Sequence, residues 1–337
     1  MLRSLKTTVS CIALALAVSN AAQAADHMNM APAPSPVQLT SESAANTISQ
    51  STAANAKVAE NNQDQTAEKR KQITAEAIAA VGETRNALKA LDEGKKDDAL
   101  AALERTTGKL ELILARDPQL ALAPTNVNEV TTTVLADTDK VRQFRREAQR
   151  LLDAGQVQAA RHLLQGFASE TVIRVTNIPL GTYPDAIKQA AKLIDDGKQD
   201  DAKKVLQTAL NTLVVTDTII PLPVAATQNM LVDAQKLAEK KDRSVDENNK
   251  LNDLLTASRS QLEYAEVLGY GTRQDFKDLY AQLDDIQAKT SNGKSGTGFF
   301  DHITDTLSTL LRSNQSAAAN QSAATAQNQQ PSKTSAN

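Results

Sequence analysis

An all-α fold is what this sequence predicts: antiparallel helical hairpins with internal duplication, packed into a helical domain between disordered N- and C-terminal tails. Three observations carry that reading. Apolar and small residues step by three and four along Ile73, Ala77, Ala80, Thr84, Ala87 and Leu91, which lines them on one helix face. Leu251, Leu255, Ser258, Leu262, Ala265 and Leu268 repeat the pattern. A glycine turn also recurs three times with the same residues after it. Finally, aromatics supply only 3% of 337 residues and Trp is absent, so the core must be built from Leu, Val, Ile and Ala, which suits close helix–helix contact. Long strand-like alternation is missing.

Residues 1–24 read as a secretory signal. Arg3 and Lys6 form a positive start, Val9 through Val18 an apolar stretch too short to span a bilayer, and Ala22-Gln23-Ala24 a small-x-small cleavage site before Ala25. The expected location is periplasmic, with the signal cleaved after Ala24. Cys11 would leave with it, which removes disulfides and thiol catalysis from the mature chain. No later run is apolar and long enough for a transmembrane segment. The full chain has a net charge of -3, and loss of Arg3 and Lys6 leaves 35 basic against 40 acidic residues. That balance, export and the scarcity of stacking aromatics all disfavour nucleic acid as a partner.

Residues 25–63 are rich in Ala, Pro, Asn and Gln and offer little to offset the entropy of ordering, so they are expected to form a disordered arm. Residues 64–290 are expected to form the helical domain. Within it lie Leu91-Asp92-Glu93-Gly94, Leu152-Asp153-Ala154-Gly155 and Ile194-Asp195-Asp196-Gly197. Five residues after each glycine comes Ala99, Ala160 or Ala202, and nine after it Leu103, Leu164 or Leu206. Pro118, Pro179 and Pro221 follow, all at the same distance from their glycines. Glycine closes a helix in the left-handed conformation, alanine lets the antiparallel neighbour come close, leucine fills the seam, and proline cannot continue a helix. Each unit therefore reads as an αα-hairpin. The glycines are 61 and 42 residues apart, which excludes a regular solenoid. Residues 291–312 read as a linker and an amphipathic helix carrying Phe299, Phe300, Ile303, Leu307, Leu310 and Leu311, which either docks on the body or covers itself against another surface. Residues 313–337 form the second biased tail.

These turns resemble those of the YfdX family of exported bacterial proteins. So do the Ile178-Pro179-Leu180 and Ile220-Pro221-Leu222 connectors, the closing Val267-Leu268-Gly269-Tyr270-Gly271, and Asp275-Phe276-Lys277-Asp278-Leu279-Tyr280. The resemblance spans roughly residues 66 to 290. It implies an all-helical periplasmic protein tied to acid or general envelope stress and given to oligomerising, with no catalytic motif to carry over.

The residues agree that no catalytic centre, enzyme activity or cofactor is expected. Of the histidines His27, His162 and His302, two lie outside the expected core, and His162 has no serine or carboxylate at triad spacing. Asn292-Gly293-Lys294-Ser295 has Ala288 where a phosphate loop needs its first glycine. Cleavage after Ala24 would expose Ala25, Asp26 and His27, whose amine, backbone amides and imidazole can close a square-planar Cu(II) site. Loss of the visible d–d band on extending the N-terminus by one residue would test it.

Two charged surfaces complete the set of candidates. Asp92, Glu93, Asp97 and Asp98 crowd the first turn, and Asp195, Asp196, Asp200 and Asp201 the third. Clustered carboxylates raise one another's pKa, so these turns read either as a solvated acidic edge or as a pH-responsive surface that alters self-association. Lys140, Arg142, Arg145, Arg146 and Arg150 spread along a broad basic face of one helix. The partners expected are further copies of the chain, an envelope protein, or a small amphipathic ligand in an inter-helix groove.

Overall fold

Each repeated turn closes its helix as the glycine dictates. The computed structural model describes residues 41–328, with side chains from Ser49 to Gln315. Gly94, Gly155 and Gly197 have φ of 73°, 71° and 76°. Each glycine N–H reaches back to the residue three before it, and the next N–H bridges the turn: Lys95 to Ala90 O, Gln156 to Leu151 O and Lys198 to Leu193 O, all at 2.8 Å. This is the Schellman closure, which satisfies carbonyls that a helix end leaves open. The hairpins so formed are α2 (Ala75–Asp92) with α3 (Lys96–Arg116), α4 (Thr138–Asp153) with α5 (Val157–Leu164), and α6 (Tyr183–Asp195) with α7 (Gln199–Asn211). Ala99, Ala160 and Ala202 are fully buried at the close approach.

A strand follows each hairpin, which periodicity did not disclose. They are β1 (Leu122–Thr132), β2 (Glu170–Pro179) and β3 (Val214–Pro221), and they form one sheet in the order β1-β2-β3. Cross-strand contacts run antiparallel: Thr125 Oγ1 donates to Thr176 O, Leu180 N–H to Ala121 O, and Arg174 forks onto Asp217. The Ile-Pro-Leu connectors are the ends of β2 and β3. Pro179 and Pro221 thus close strands, whereas Pro118 lies between α3 and β1. The difference follows from the second helices, which have 21, 8 and 13 residues, so equal spacing from glycine meets different structure. The repeating unit is helix–helix–strand within a mostly helical molecule.

The described residues divide into two units that interleave along the chain, where one continuous domain over 64–290 was expected. The first unit takes residues up to Val58, Thr131–Glu170 and Pro221–Leu311. Its core is made by α8 (Leu222–Glu239), α9 (Val245–Leu268), α10 (Arg273–Thr290) and the start of α11 (Asp301–Asn328), with Ala54 and Val58 of α1 (Ser41–Lys71). Phe300, Ile303, Leu307 and Leu310 are buried in that core, so the amphipathic helix docks on the body. The second unit takes Ala59–Val130, Thr171–Ile220 and Arg312 onward, and its core is the pair of hairpins α2–α3 and α6–α7. Helix also replaces the expected arm from Ser41 on and the expected tail as far as Asn328. In α1 the small residues Ala54 and Val58, and the hydrogen bond from Asn62 to Thr171 Oγ1, supply the burial that composition alone concealed.

The closing motif is a helix junction. Gly269 ends α9 at φ 87°, and Tyr270 turns inward so that its hydroxyl accepts the Ser169 N–H at 2.8 Å. A Cβ on Gly271 would stand 2.9 Å from Leu310 Cδ1 and 3.1 Å from Phe276, so a side chain there would push the Leu310 tip aside where α11 closes over this corner. Thr272 and Asp275 then cap α10 reciprocally, and Phe276 and Leu279 fill the core. Arg243 makes a second joint in the first unit, donating to Leu237 O, Ala238 O and Lys240 O at the end of α8, to Thr290 O at the end of α10 and to Lys294 O beyond it.

Candidate interaction surface

The two acidic turns come together. Asp92 meets Lys203 at 3.2 Å and Asp195 meets Lys96 at 3.9 Å, so the Gly94 and Gly197 turns exchange ion pairs across the α2–α3 and α6–α7 hairpins. Asp200 and Asp201 pair with Lys203 and Lys204 on their own helix. Asp97 and Asp98 occupy the first turn of α3, where the helix dipole favours them. Mutual repulsion does not govern Glu93: its hydrogen bond to Lys95 holds its carboxyl below the usual range, the opposite of the rise expected from clustering. Interleaved lysines, which the reading by carboxylates alone passed over, are the cause. Asp196 is exposed.

The basic face divides in two. Arg142 pairs with Asp139, Lys140 with Asp137, and Arg150 grips Glu147 with two hydrogen bonds, all within α4 or its cap. Arg145 and Arg146 are exposed and have no carboxylate partner among the described residues. His162 and His302 are exposed, and no group of three His, Cys, Asp or Glu able to hold a metal occurs among the described residues. Ala25, Asp26 and His27 lie outside them.

A groove of about 590 Å³ opens in the second unit along α6 and α7, between the end of β2 and the start of β3. Ala186, Val205 and Leu213 give it apolar walls, Thr208 and Thr212 hydroxyls, and Lys204 one ammonium group. Tyr183 forms part of its lining, and its hydroxyl donates to Thr84 Oγ1 at 3.0 Å.

Comparison of the three hairpins isolates the most distinctive surface. Three residues before the glycine, Leu91 and Ile194 are 2% and 0% exposed, yet Leu152 is 42% exposed. Nine residues after it, Leu103 and Leu206 are 1% and 0% exposed, yet Leu164 is 41% exposed. Val157 beside them is 55% exposed. The α2–α3 and α6–α7 hairpins cover each other in one core, whereas α4–α5 buries Val141 and Ala148, with Ala160 at its own seam. The signal was present in the sequence as the same leucine positions, but nothing in the pattern tells which copy finds cover.

Buried acid–base chemistry gathers at a different place. Glu170 is hydrogen-bonded to Tyr270, and burial pushes both groups above their usual pKa. Burial likewise pushes Tyr264, which donates to Val134 O at 2.8 Å, up to about 12. The Tyr264 hydroxyl donates to loop backbone and the Tyr270 hydroxyl accepts from it, which ties these loops to α9 and its C-terminal turn.

The sequence matches no curated protein. A solved YfdX structure of Salmonella Typhi is similar at 15% identity over 44% of this chain and 93% of that one, with a TM-score of 0.32. The family described as YfdX protein matches residues 80–219, which contain all three glycine turns, β1, β2 and most of β3; the closing motif falls beyond the match. Through residues 80–219 this chain is similar to the YfdX family.

Proposed function

We propose that the chain is an exported, non-catalytic envelope protein that works by association, in line with the stress link that its family resemblance implies. The observation that carries this reading is the α4–α5 hairpin, which leaves open the leucine positions that its two sister hairpins bury. Scattered apolar side chains on a surface mean little, but two from one repeated motif on a single hairpin, with Val157 on the same hairpin, are of the kind that marks a binding face. Arg145 and Arg146 beside it add positive charge, so the face suits a partner with both apolar and acidic groups. A photo-reactive residue in place of Leu164 should give covalent adducts in the periplasm, and the same residue at exposed Lys188 should not. Equal yields at both positions would overturn the reading.

Acid is the condition under which association should change. Cross-helix pairs such as Glu83 with Arg105 hold carboxylates below their usual pKa, so they stay charged into moderate acid and then release their partners. Sedimentation profiles should therefore differ between neutral and acid solution, and identical profiles would count against a pH response.

The groove along α6 and α7 favours a second reading, the sequestering of a small amphiphile with an acidic head: apolar walls take the chain and Lys204 the charge. Thr208→Trp, which fills the groove, should abolish displacement of an apolar dye by a fatty acid. Undiminished displacement would exclude this groove as the site.

A further inference from the structure

We propose that the α4–α5 hairpin docks on the same hairpin of a second copy of this chain, in a two-fold pairing that repeats the one between α2–α3 and α6–α7. The proposal rests on the association reading above and names its partner.

The molecule contains the template. In the internal pair, the acid two residues before one glycine, Asp92, bridges the cation six residues after the other, Lys203, at 3.2 Å, while the reciprocal acid, Asp195, reaches Lys96 because Leu100 stands six residues after Gly94. The leucine-type residues three before and nine after each glycine are buried in the shared core. The second hairpin holds every one of these parts without a counterpart: Asp153 two before Gly155, Arg161 six after it, and exposed Leu152 and Leu164. Asp153 accepts only from Gln149 among the described residues, and Arg161 has no carboxylate there. A two-fold axis places residue i against j and j against i. One axis through the Gly155 turns therefore sets Asp153 of each copy against Arg161 of the other, twice, while Leu152, Leu164 and Val157 close over one another.

The same alignment limits the contact. Ten residues before the glycine, Thr84 and Ile187 are buried in the internal pair, but the second hairpin has exposed Arg145 there. Val141, four residues further back, is already covered within its own unit. The copies consequently meet only at the turn end, with Arg145 at the rim, and the product is a concentration-dependent dimer.

Charge reversal tests the pairing. Asp153→Arg and Arg161→Asp each put like charges face to face, and each should weaken dimerisation about tenfold or more in sedimentation velocity. An equimolar mixture of the two variants should dimerise again, because the mixed dimer has opposite charges at both contacts. The double variant in one chain should recover as well. Loss of folding cannot produce recovery on mixing, and a circular dichroism spectrum checks each variant. Cross-linked peptides from the residue-164 probe should join it to α4–α5 of a second copy. A wild-type chain that stays monomeric at all concentrations, an assembly indifferent to both single variants, or a mixture no better than its components would overturn the proposal. Adducts at residue 164 to other proteins alone would overturn it while leaving the association reading intact, and absence of any adduct would remove both.

Discussion

The hairpins α2–α3 and α4–α5 share a turn, a seam alanine and a following strand, and differ in what lies over them. In the first, both helices are roofed by α6–α7, and the leucines at the shared positions vanish from the surface. In the second, the same positions face solvent. A repeated local motif therefore fixes how two helices meet, but tertiary surroundings decide whether that pair contributes to a core. Duplication supplies a face, and burial depends on a mate.

Truncating the buried leucines should separate the hairpins most strongly. Leu206→Ala, inside the paired core, should cost about 2–5 kcal/mol in chemical denaturation. Leu164→Ala at the equivalent place should cost less than about 0.5 kcal/mol in dilute solution, where no second copy covers it. Equal losses would mean that the second hairpin is covered within its own chain. The glycines should show the opposite behaviour. Gly94→Ala, Gly155→Ala and Gly197→Ala force a Cβ into the left-handed region and should each cost roughly 1–2 kcal/mol, because the turn is the same in all three.

Acid should sharpen the contrast further. Glu76 and Glu83 of α2 are held below the usual carboxylate range, Glu76 by its own backbone and then Arg116, Glu83 chiefly by Arg105, and both arginines belong to α3. Such groups bind protons less readily when folded, so they stabilise above their ordinary pKa of about 4.5 and lose that contribution as pH falls through the lowered value. Glu147 and Asp137 are lowered too, but by Arg150 and by the Lys140 backbone, within one helix and its cap. Glu170 has the reverse sign: its raised pKa favours the folded state in acid and the benefit fades as pH rises through it. Amide exchange between pH 5 and 3 should thus accelerate across α2–α3 before it does in α4–α5, and Glu83→Gln should flatten that response. The smallest effect belongs to Arg145→Ala and Arg146→Ala, which should leave stability within about 0.5 kcal/mol of wild type, as judged by thermal melts.

Much of this architecture was legible, and the gaps have physical causes. The glycine turns, the seam alanines and the buried stripe through Thr84 and Leu91 follow from local geometry and stand where periodicity puts them. The strands were hidden because β1 carries Pro124, Asn126 and Asn128, which are poor strand formers, and the residues of β3 are mostly half-buried and do not alternate. The first half of α1 was hidden because its contacts are remote: Ala54 and Val58 are small, and their helix looks polar until its neighbours are known. Of the candidate surface, Arg145 and Arg146 were visible as charge, but the open leucines became apparent only when three copies of one motif were compared by exposure.

Lys57 pairs with Asp233, 176 positions later, and Asn229 reaches Ala54 O over almost the same span. A ribosome must deliver the whole intervening stretch before α1 finds the helix that shelters it. Such high contact order delays closure of the nascent chain. The interval during which a chaperone can hold this polypeptide open is accordingly set by the arrival of α8, however early the individual hairpins zip.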